Sequence, residues 1–139
     1  MFKSLSFCRE KKQCVDLALL ILRLTIGVIF ILHGYGKLFG DAPGMTAFTG
    51  MVAQLGFPAP GLFAYAAAFS EFFGGIALIL GIATELAAIL ISIVMLVALV
   101  GVKKFSLPLA DLDLSLLAIA VAIFFMGPGK YVAIKSNEK

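Results

Sequence analysis

Four long apolar segments make up most of the 139-residue chain, and ionisable residues lie inside two of them. Apolar residues account for 62% of the sequence, whereas soluble domains contain about half. A bilayer core offers no water to backbone groups, so segments of this kind must be helical. They lack the apolar–polar alternation of a membrane β-barrel. The sequence therefore predicts an all-α integral membrane protein rather than a soluble helical domain.

The predicted fold is a four-transmembrane-helix bundle with a short amphipathic segment between helices 1 and 2. A span needs about 20 apolar residues, and the four spans are predicted at about 15–39, 62–83, 86–102 and 109–126. Met45, Phe48, Val52 and Leu55 recur at helical spacing within the first connection, which predicts a surface helix there. The predicted domain organisation is a basic cytoplasmic tail at 1–14, a membrane domain at 15–133 and a second cytoplasmic tail at 134–139.

The distribution of lysine and arginine predicts the orientation in the membrane. Most of these residues lie in the two tails, while the opposite face carries Lys37, Lys103 and Lys104. The positive-inside rule then places both termini in the cytoplasm. Membrane lipids are the expected partners. Nucleic acid is not expected, because the basic residues form no stripe or cluster on one helix face.

Two ionisable residues of opposite sign lie in the middle of adjacent predicted spans. Arg23 shares a helical face with Gly27 and Gly34, and Glu71 shares one with Gly74. Small residues let membrane helices approach closely, so both faces are predicted to point into the bundle. At about 1.5 Å per residue, Arg23 lies about 12 Å from the cytoplasmic surface and Glu71 about 13 Å from the outer one. Because an unpaired charge at that depth is strongly unfavourable, the sequence predicts an Arg23–Glu71 ion pair near the midplane.

A second polar group is expected near the outer ends of the first and fourth spans. His33 and Lys37 end the first span, while Asp111 and Asp113 begin the fourth. Opposite charges at one depth predict a polar vestibule that opens outward above the arginine–glutamate pair. The lone histidine does not by itself indicate a metal site. The predicted ligand or proton pocket consists of Arg23, His33, Lys37, Glu71 and Asp113.

Each of these residues also has a purely structural interpretation. Arg23 and Glu71 would serve as a clamp between two helices, and Lys37 as an anchor whose ammonium reaches the membrane surface. Asp113 is favourable at a helix N-terminus, and His33 is compatible with an interfacial position. The residues alone leave the clamp and the pocket open, and no catalytic residue is assigned.

The segment LRLTIGVIFILHGYGKLFG at 22–40 resembles the first span of the DoxX family of small four-helix membrane proteins. Residues in three spans carry the resemblance: Arg23, Gly27, His33, Gly34 and Lys37 in the first, Glu71, Gly74 and Thr84 in and after the second, and Asp113 with Gly127-Pro128-Gly129-Lys130-Tyr131 in the fourth. The chain departs from the family at Val132-Ala133, where a Ser and an Asp often follow the tyrosine.

The resemblance implies a bacterial-type plasma (inner) membrane location and an association with membrane oxidoreductases, since the family takes its name from thiosulfate:quinone oxidoreductase. The leading hypothesis is therefore a membrane subunit of an oxidoreductase system that binds a quinone or other amphipathic molecule. It would hold no covalently bound cofactor and would receive electrons from a partner protein. A non-enzymatic scaffold or assembly factor and a small transporter are the alternatives. Homo-oligomerisation through Ala118 and Ala122 stays open.

Overall fold

The computed structural model describes residues 11–106 and 108–134, and this part of the chain is all helical, without strands. It contains five helices, of which the fourth continues into a π-helical turn at Ala98–Val102. The helices are α1 Lys11–Leu38, α2 Gly44–Gln54, α3 Pro60–Leu80, α4 Thr84–Val97 and α5 Asp111–Met126. The all-α prediction is confirmed. Most of both predicted tails lies outside the described residues.

Three helices are long and apolar enough to cross a membrane: α1, α3, and α4 together with its π-helical turn. The fifth helix, α5, has 16 residues. At 1.5 Å per residue it is about 24 Å long, which is shorter than a hydrocarbon core of about 30 Å. The structure therefore supports three helices of spanning length among the described residues, and the fourth span stays a prediction.

The helix boundaries differ from the predicted ones in a way that changes the register of the bundle. Helix α1 begins at Lys11, four residues before the predicted start of the first span. Helix α3 ends at Leu80, because Gly81 adopts a left-handed conformation with φ of 71°. Glycine reaches this conformation without steric cost, and it is a common helix terminator.

The predicted segment between the first two spans is a helix, α2. Pro43 precedes it, and its C-terminal end at Leu55 is held by backbone hydrogen bonds to Met51 and Val52. Val52 is buried, whereas Met51 on the adjoining face is exposed. Helix α2 packs on α3 and α1, so it covers one side of the bundle.

Close packing of glycines defines the antiparallel contact between α1 and α3. A Cβ added to Gly75 would lie 2.7 Å from the carbonyl oxygen of Gly27 and 2.9 Å from the amide nitrogen of Ile31. A Cβ on Gly34 would lie 2.6 Å from the backbone nitrogen of Phe72. Both faces predicted to point inward are buried, so this prediction is confirmed.

The hydrophobic core lies where α1, α3, α4 and α5 meet. Its fully buried members include Ile26, Phe30, Leu78, Ile91 and Ile123. Helix α4 contacts both α3 and α5, and α5 also reaches α1. The outward faces remain rich in exposed leucine, valine and phenylalanine, which is the surface expected for helices in contact with acyl chains.

Replacement of Gly75 by alanine should lower the melting temperature of the protein in detergent micelles, because the new methyl group would overlap the α1 backbone. Overpacking of this kind costs about 1–3 kcal/mol. The matched control is Gly61→Ala on the same helix, where an added Cβ has no atom within 4 Å. Equal melting temperatures for the two variants, measured by circular dichroism, would contradict the described α1–α3 contact.

Candidate functional site

Arg23 is completely buried, and backbone carbonyls surround its guanidinium. Its Nε donates to the carbonyl oxygen of Leu78 at 2.8 Å, and its Nη2 donates to that of Ile79 at 3.2 Å. Its Nη1 donates to the carbonyl oxygens of Pro128 and Tyr131. The last carbonyls of a helix have no partner within the helix and carry its partial negative charge. The C-terminal end of α3 therefore stabilises the guanidinium without a carboxylate.

The predicted Arg23–Glu71 ion pair is wrong. Arg23 lies level with the last turn of α3, and Glu71 precedes Leu78 by seven residues, which is about 10 Å along a helix. The predicted depth of Arg23 was counted from the predicted start of the first span. Helix α1 begins earlier and α3 ends earlier than predicted. Arg23 therefore lies level with the end of α3, beyond the depth of Glu71.

The segment that follows α5 packs against this arginine. The amide of Ala133 donates to the carbonyl oxygen of Leu80 at 2.8 Å, and the amide of Lys130 donates to Oδ1 of Asp16 at 3.0 Å. Gly81 leaves room for the guanidinium, because an added Cβ would lie 2.5 Å from Nη2 of Arg23. Arg23 thus connects α1, the end of α3 and the chain after α5, which is a structural role.

Glu71 instead pairs with Lys37 from α1. The ammonium Nζ donates to both carboxylate oxygens, at 2.7 Å to Oε1 and 2.6 Å to Oε2. The carboxylate is almost completely buried, with 2% of its side chain exposed, while 25% of the lysine side chain is exposed. The ring of Phe48 in α2 lies 4.1 Å from Nζ, a distance suited to a cation–π interaction.

The sequence contained a signal for this pair that the depth estimate overlooked. The Gly27–Gly75 contact sets the antiparallel register, in which Glu71 lies level with the middle of the last three turns of α1. Helical side chains lean toward the helix N-terminus, so the long side chain of Lys37 reaches back toward the carboxylate. Alignment of α1 and α3 by their glycine faces favours Lys37 over Arg23 as the partner of Glu71.

An apolar cavity of about 630 Å³ adjoins the Lys37–Glu71 pair. Volumes of this size are typical of sites for small ligands. All five helices contribute side chains to the lining, and most of these are apolar. Representative apolar members are Phe48, Val52, Ala67, Val94 and Ala98.

A second ion pair lines the same cavity. Nζ of Lys103 lies 2.6 Å from Oδ2 of Asp113, although the angles are not those of a hydrogen bond. Lys103 directly follows the π-helical turn of α4, and Asp113 lies in the first turn of α5. π-helical turns occur frequently at functional sites. Lys103 is not among the predicted pocket residues, because no apolar periodicity reveals a π-helical turn.

The structure brings four of the five predicted pocket residues to one cavity: His33, Lys37, Glu71 and Asp113. Arg23 is not among the lining residues. His33 is exposed and packs edge-on against the Phe30 ring, with 6.3 Å between ring centroids. Asp111 is also absent from the lining, and its Oδ1 accepts a hydrogen bond from the amide of Leu112 at 2.7 Å. It therefore belongs to the start of α5 and not to the expected vestibule.

Residues 18–104 match the family model described as DoxX, which covers most of α1 and all of α2 to α4 with its π-helical turn. The chain belongs to the DoxX family. The DoxX match includes His33, Lys37, Glu71 and Lys103 and ends before α5. Asp113 and the segment that packs on Arg23 therefore lie outside it.

A relative of this DoxX protein is "Putative oxidoreductase CatD" of Bacillus subtilis (strain 168). The two are 31% identical over 88 residues, which is 63% of this chain and 61% of the relative. The aligned part thus spans less than two thirds of the relative's length. No solved structure matches the chain.

In this DoxX protein, the hydrogen bonds of Arg23 and the Lys37–Glu71 ion pair should contribute independently to stability in double-mutant cycles. Lys37→Met and Glu71→Gln should show a coupling energy of about 0.5–3 kcal/mol, because each leaves the other partner unpaired. Arg23→Lys and Glu71→Gln should add within about 0.5 kcal/mol, because the two sites share no partner. Free energies of unfolding in mixed micelles measure both. Strong coupling between Arg23 and Glu71 would restore the rejected pair.

Proposed function

We propose that this DoxX protein is a membrane subunit of an oxidoreductase system and that it binds a quinone, or a similar amphipathic molecule, in the cavity beside Lys37 and Glu71. The observation that carries the proposal is the placement of a buried, charged pair against a large apolar volume. Ligand sites combine mostly apolar walls with a few convergent polar groups.

The Lys37–Glu71 pair would supply the polar end of such a site. An ammonium has three donors, and two of those on Lys37 serve the carboxylate oxygens. The third would donate to a ligand oxygen. Glu71 would exchange protons with the ligand, and His33, exposed at the cavity, would connect it to water. Lys103 and Asp113 would contact the ligand from the side of α5.

A redox role requires a partner protein. Reduction of a quinone takes up two electrons and two protons, and the described side chains would handle protons only. The electrons would come from an oxidoreductase that docks on this subunit. The name of the relative CatD, an oxidoreductase, supports this class of function, as does membership of the DoxX family.

The proposal includes four spans in a bacterial-type plasma membrane, with both termini in the cytoplasm. Helix α5 would be the fourth span, because it packs on α4 and α1 within the bundle. Short helices are accommodated by local thinning of the bilayer. The excess of basic residues in the tails supports the orientation.

Binding of a tritiated, decyl-tailed benzoquinone to the purified full chain in phosphatidylcholine nanodiscs tests the proposal. The parent protein should bind saturably, and Lys37→Met and Glu71→Gln should each weaken binding at least about tenfold, which corresponds to 1.4 kcal/mol. Val94→Phe, which fills the cavity without changing a charge, should have the same effect.

Two variants outside the cavity serve as matched controls. Glu85→Gln alters an exposed carboxylate in the first turn of α4, and Lys104→Met alters the exposed neighbour of Lys103. Both should bind the quinone like the parent. Equal binding by all variants, or no saturable binding by a folded parent, would contradict the proposed function and favour a scaffold.

A further inference from the structure

The polar and apolar residues of the cavity lining differ in how deeply they are buried in the protein. Its most buried charged group is Glu71, whereas several apolar lining residues are strongly exposed on the outside of the bundle. Phe63 of α3 is 41% exposed, and Ile93 of α4 is 53% exposed. Residues that line a cavity and also face outward form the rim of its opening. The rim formed by these residues is therefore apolar, and the Glu71 carboxylate lies behind it.

The exposed apolar residues of the lining lie mainly on α3 and α4. These helices meet near their connection, where a Cβ on Gly74 would contact Cδ1 of Ile91 at 3.2 Å. Farther from the connection, their lining residues include exposed ones on both sides, namely Phe63 and Ala66 on α3 and Ile93 and Val97 on α4.

The depth of this opening along α3 points to the bilayer interior. Phe63 and Ser70 lie three and ten residues from the first residue of α3, which places the rim about 5–15 Å along the helix. Helix α3 is one of the three helices long and apolar enough to span a membrane. In a bilayer that α3 spans, a rim at this position would face acyl chains.

The charged side chains that line the cavity sum to zero. Lys37 and Lys103 carry two positive charges, and Glu71 and Asp113 carry two negative ones, each within an ion pair at 2.6 Å. A ligand head with a net charge would bring an unpaired charge into a poorly solvated site, which is unfavourable. An uncharged polar head avoids this penalty.

We propose that the cavity is filled from the bilayer through the gap between α3 and α4, by a molecule with an uncharged polar head and a single apolar tail. The head lies at the Lys37–Glu71 pair, and the tail remains in the gap among Phe63, Ala66 and Ile93. This inference rests on the proposed function and defines its ligand class. It excludes water-soluble ligands without a tail and lipids with an anionic head.

The route is tested with a decyl-tailed benzoquinone that carries a diazirine at the end of its tail. In phosphatidylcholine nanodiscs, photolysis should label α3 and α4 residues at the rim, as located by mass spectrometry. Ala66→Phe should slow association at least tenfold. The control Ala122→Phe, on an exposed position of α5 outside the cavity lining, should leave the rate unchanged. Labelling confined to α1 or α5, or equal rates for both variants, would overturn the lateral route.

Selectivity for an uncharged head is tested by competition between the decyl-tailed benzoquinone and decanoic acid. The parent should bind the quinone at least tenfold more tightly at pH 7. Glu71→Gln and Asp113→Asn each leave one lysine unpaired, so each should shift this ratio at least tenfold toward the fatty acid. The second variant alters a more exposed pair and keeps the test valid if the first does not fold. An unchanged ratio in folded variants would overturn the charge argument.

The outcomes separate this inference from the proposed function. Saturable quinone binding without rim labelling, or without the shift in selectivity, would leave the quinone site standing and remove the ligand route and class proposed here. Absence of any saturable binding by the parent would remove both.

Discussion

The hydrogen bonding of Arg23 to backbone carbonyls is the interaction on which the rest of the bundle depends. A guanidinium has five N–H groups, and four hydrogen bonds connect it to the end of α3 and to the segment after α5. These carbonyls have few alternative donors in a bilayer, where every backbone polar group must be satisfied within the protein. The arginine thus donates hydrogen bonds to the last carbonyls of α3 and to carbonyls of a segment that is distant in sequence.

This arrangement leaves Glu71 without the cation that the sequence had suggested, and Lys37 takes that place. The consequence is a division of the bundle into two parts. One end is closed by the arginine and its carbonyls, with glycines that bring α1 and α3 into backbone contact. The other end carries the ion pairs and a cavity of about 630 Å³. The division follows from register, since the two parts lie about 10 Å apart along α3.

Periodicity predicted the helices, their inward faces and the short helix α2, because each depends on the spacing of residues within a single segment. Periodicity did not predict which residues of different helices form hydrogen bonds and ion pairs with each other. These pairings depend on where helices begin and end, and the three residues between the observed end of α3 at Leu80 and its predicted end at 83 amount to about 4.5 Å along the axis. That error is larger than the distance over which an ion pair forms.

Two further features of the site had no simple sequence signal. The π-helical turn at Ala98–Val102 occurs within an apolar run, and Gly101 alone does not distinguish it from an α-helical turn. The turn directly precedes Lys103. The pairing of Lys103 with Asp113 is likewise a property of packing between helices. The glycines at 27, 34 and 75 were the most informative signal, because residues that must touch another backbone set the register directly.

Ionisable residues within membrane helices are generally taken as functional, and this protein shows that saturation of their hydrogen bonds divides them into two kinds. Arg23 uses four of its five N–H groups on fixed backbone groups, and it does not line the cavity. Lys37 has a third donor, and its pair borders an open apolar volume. A buried ion pair is often no more stabilising than apolar residues of similar size, so stability alone does not account for placing one beside a cavity. The two buried cations therefore differ in whether unused hydrogen-bonding capacity faces the cavity.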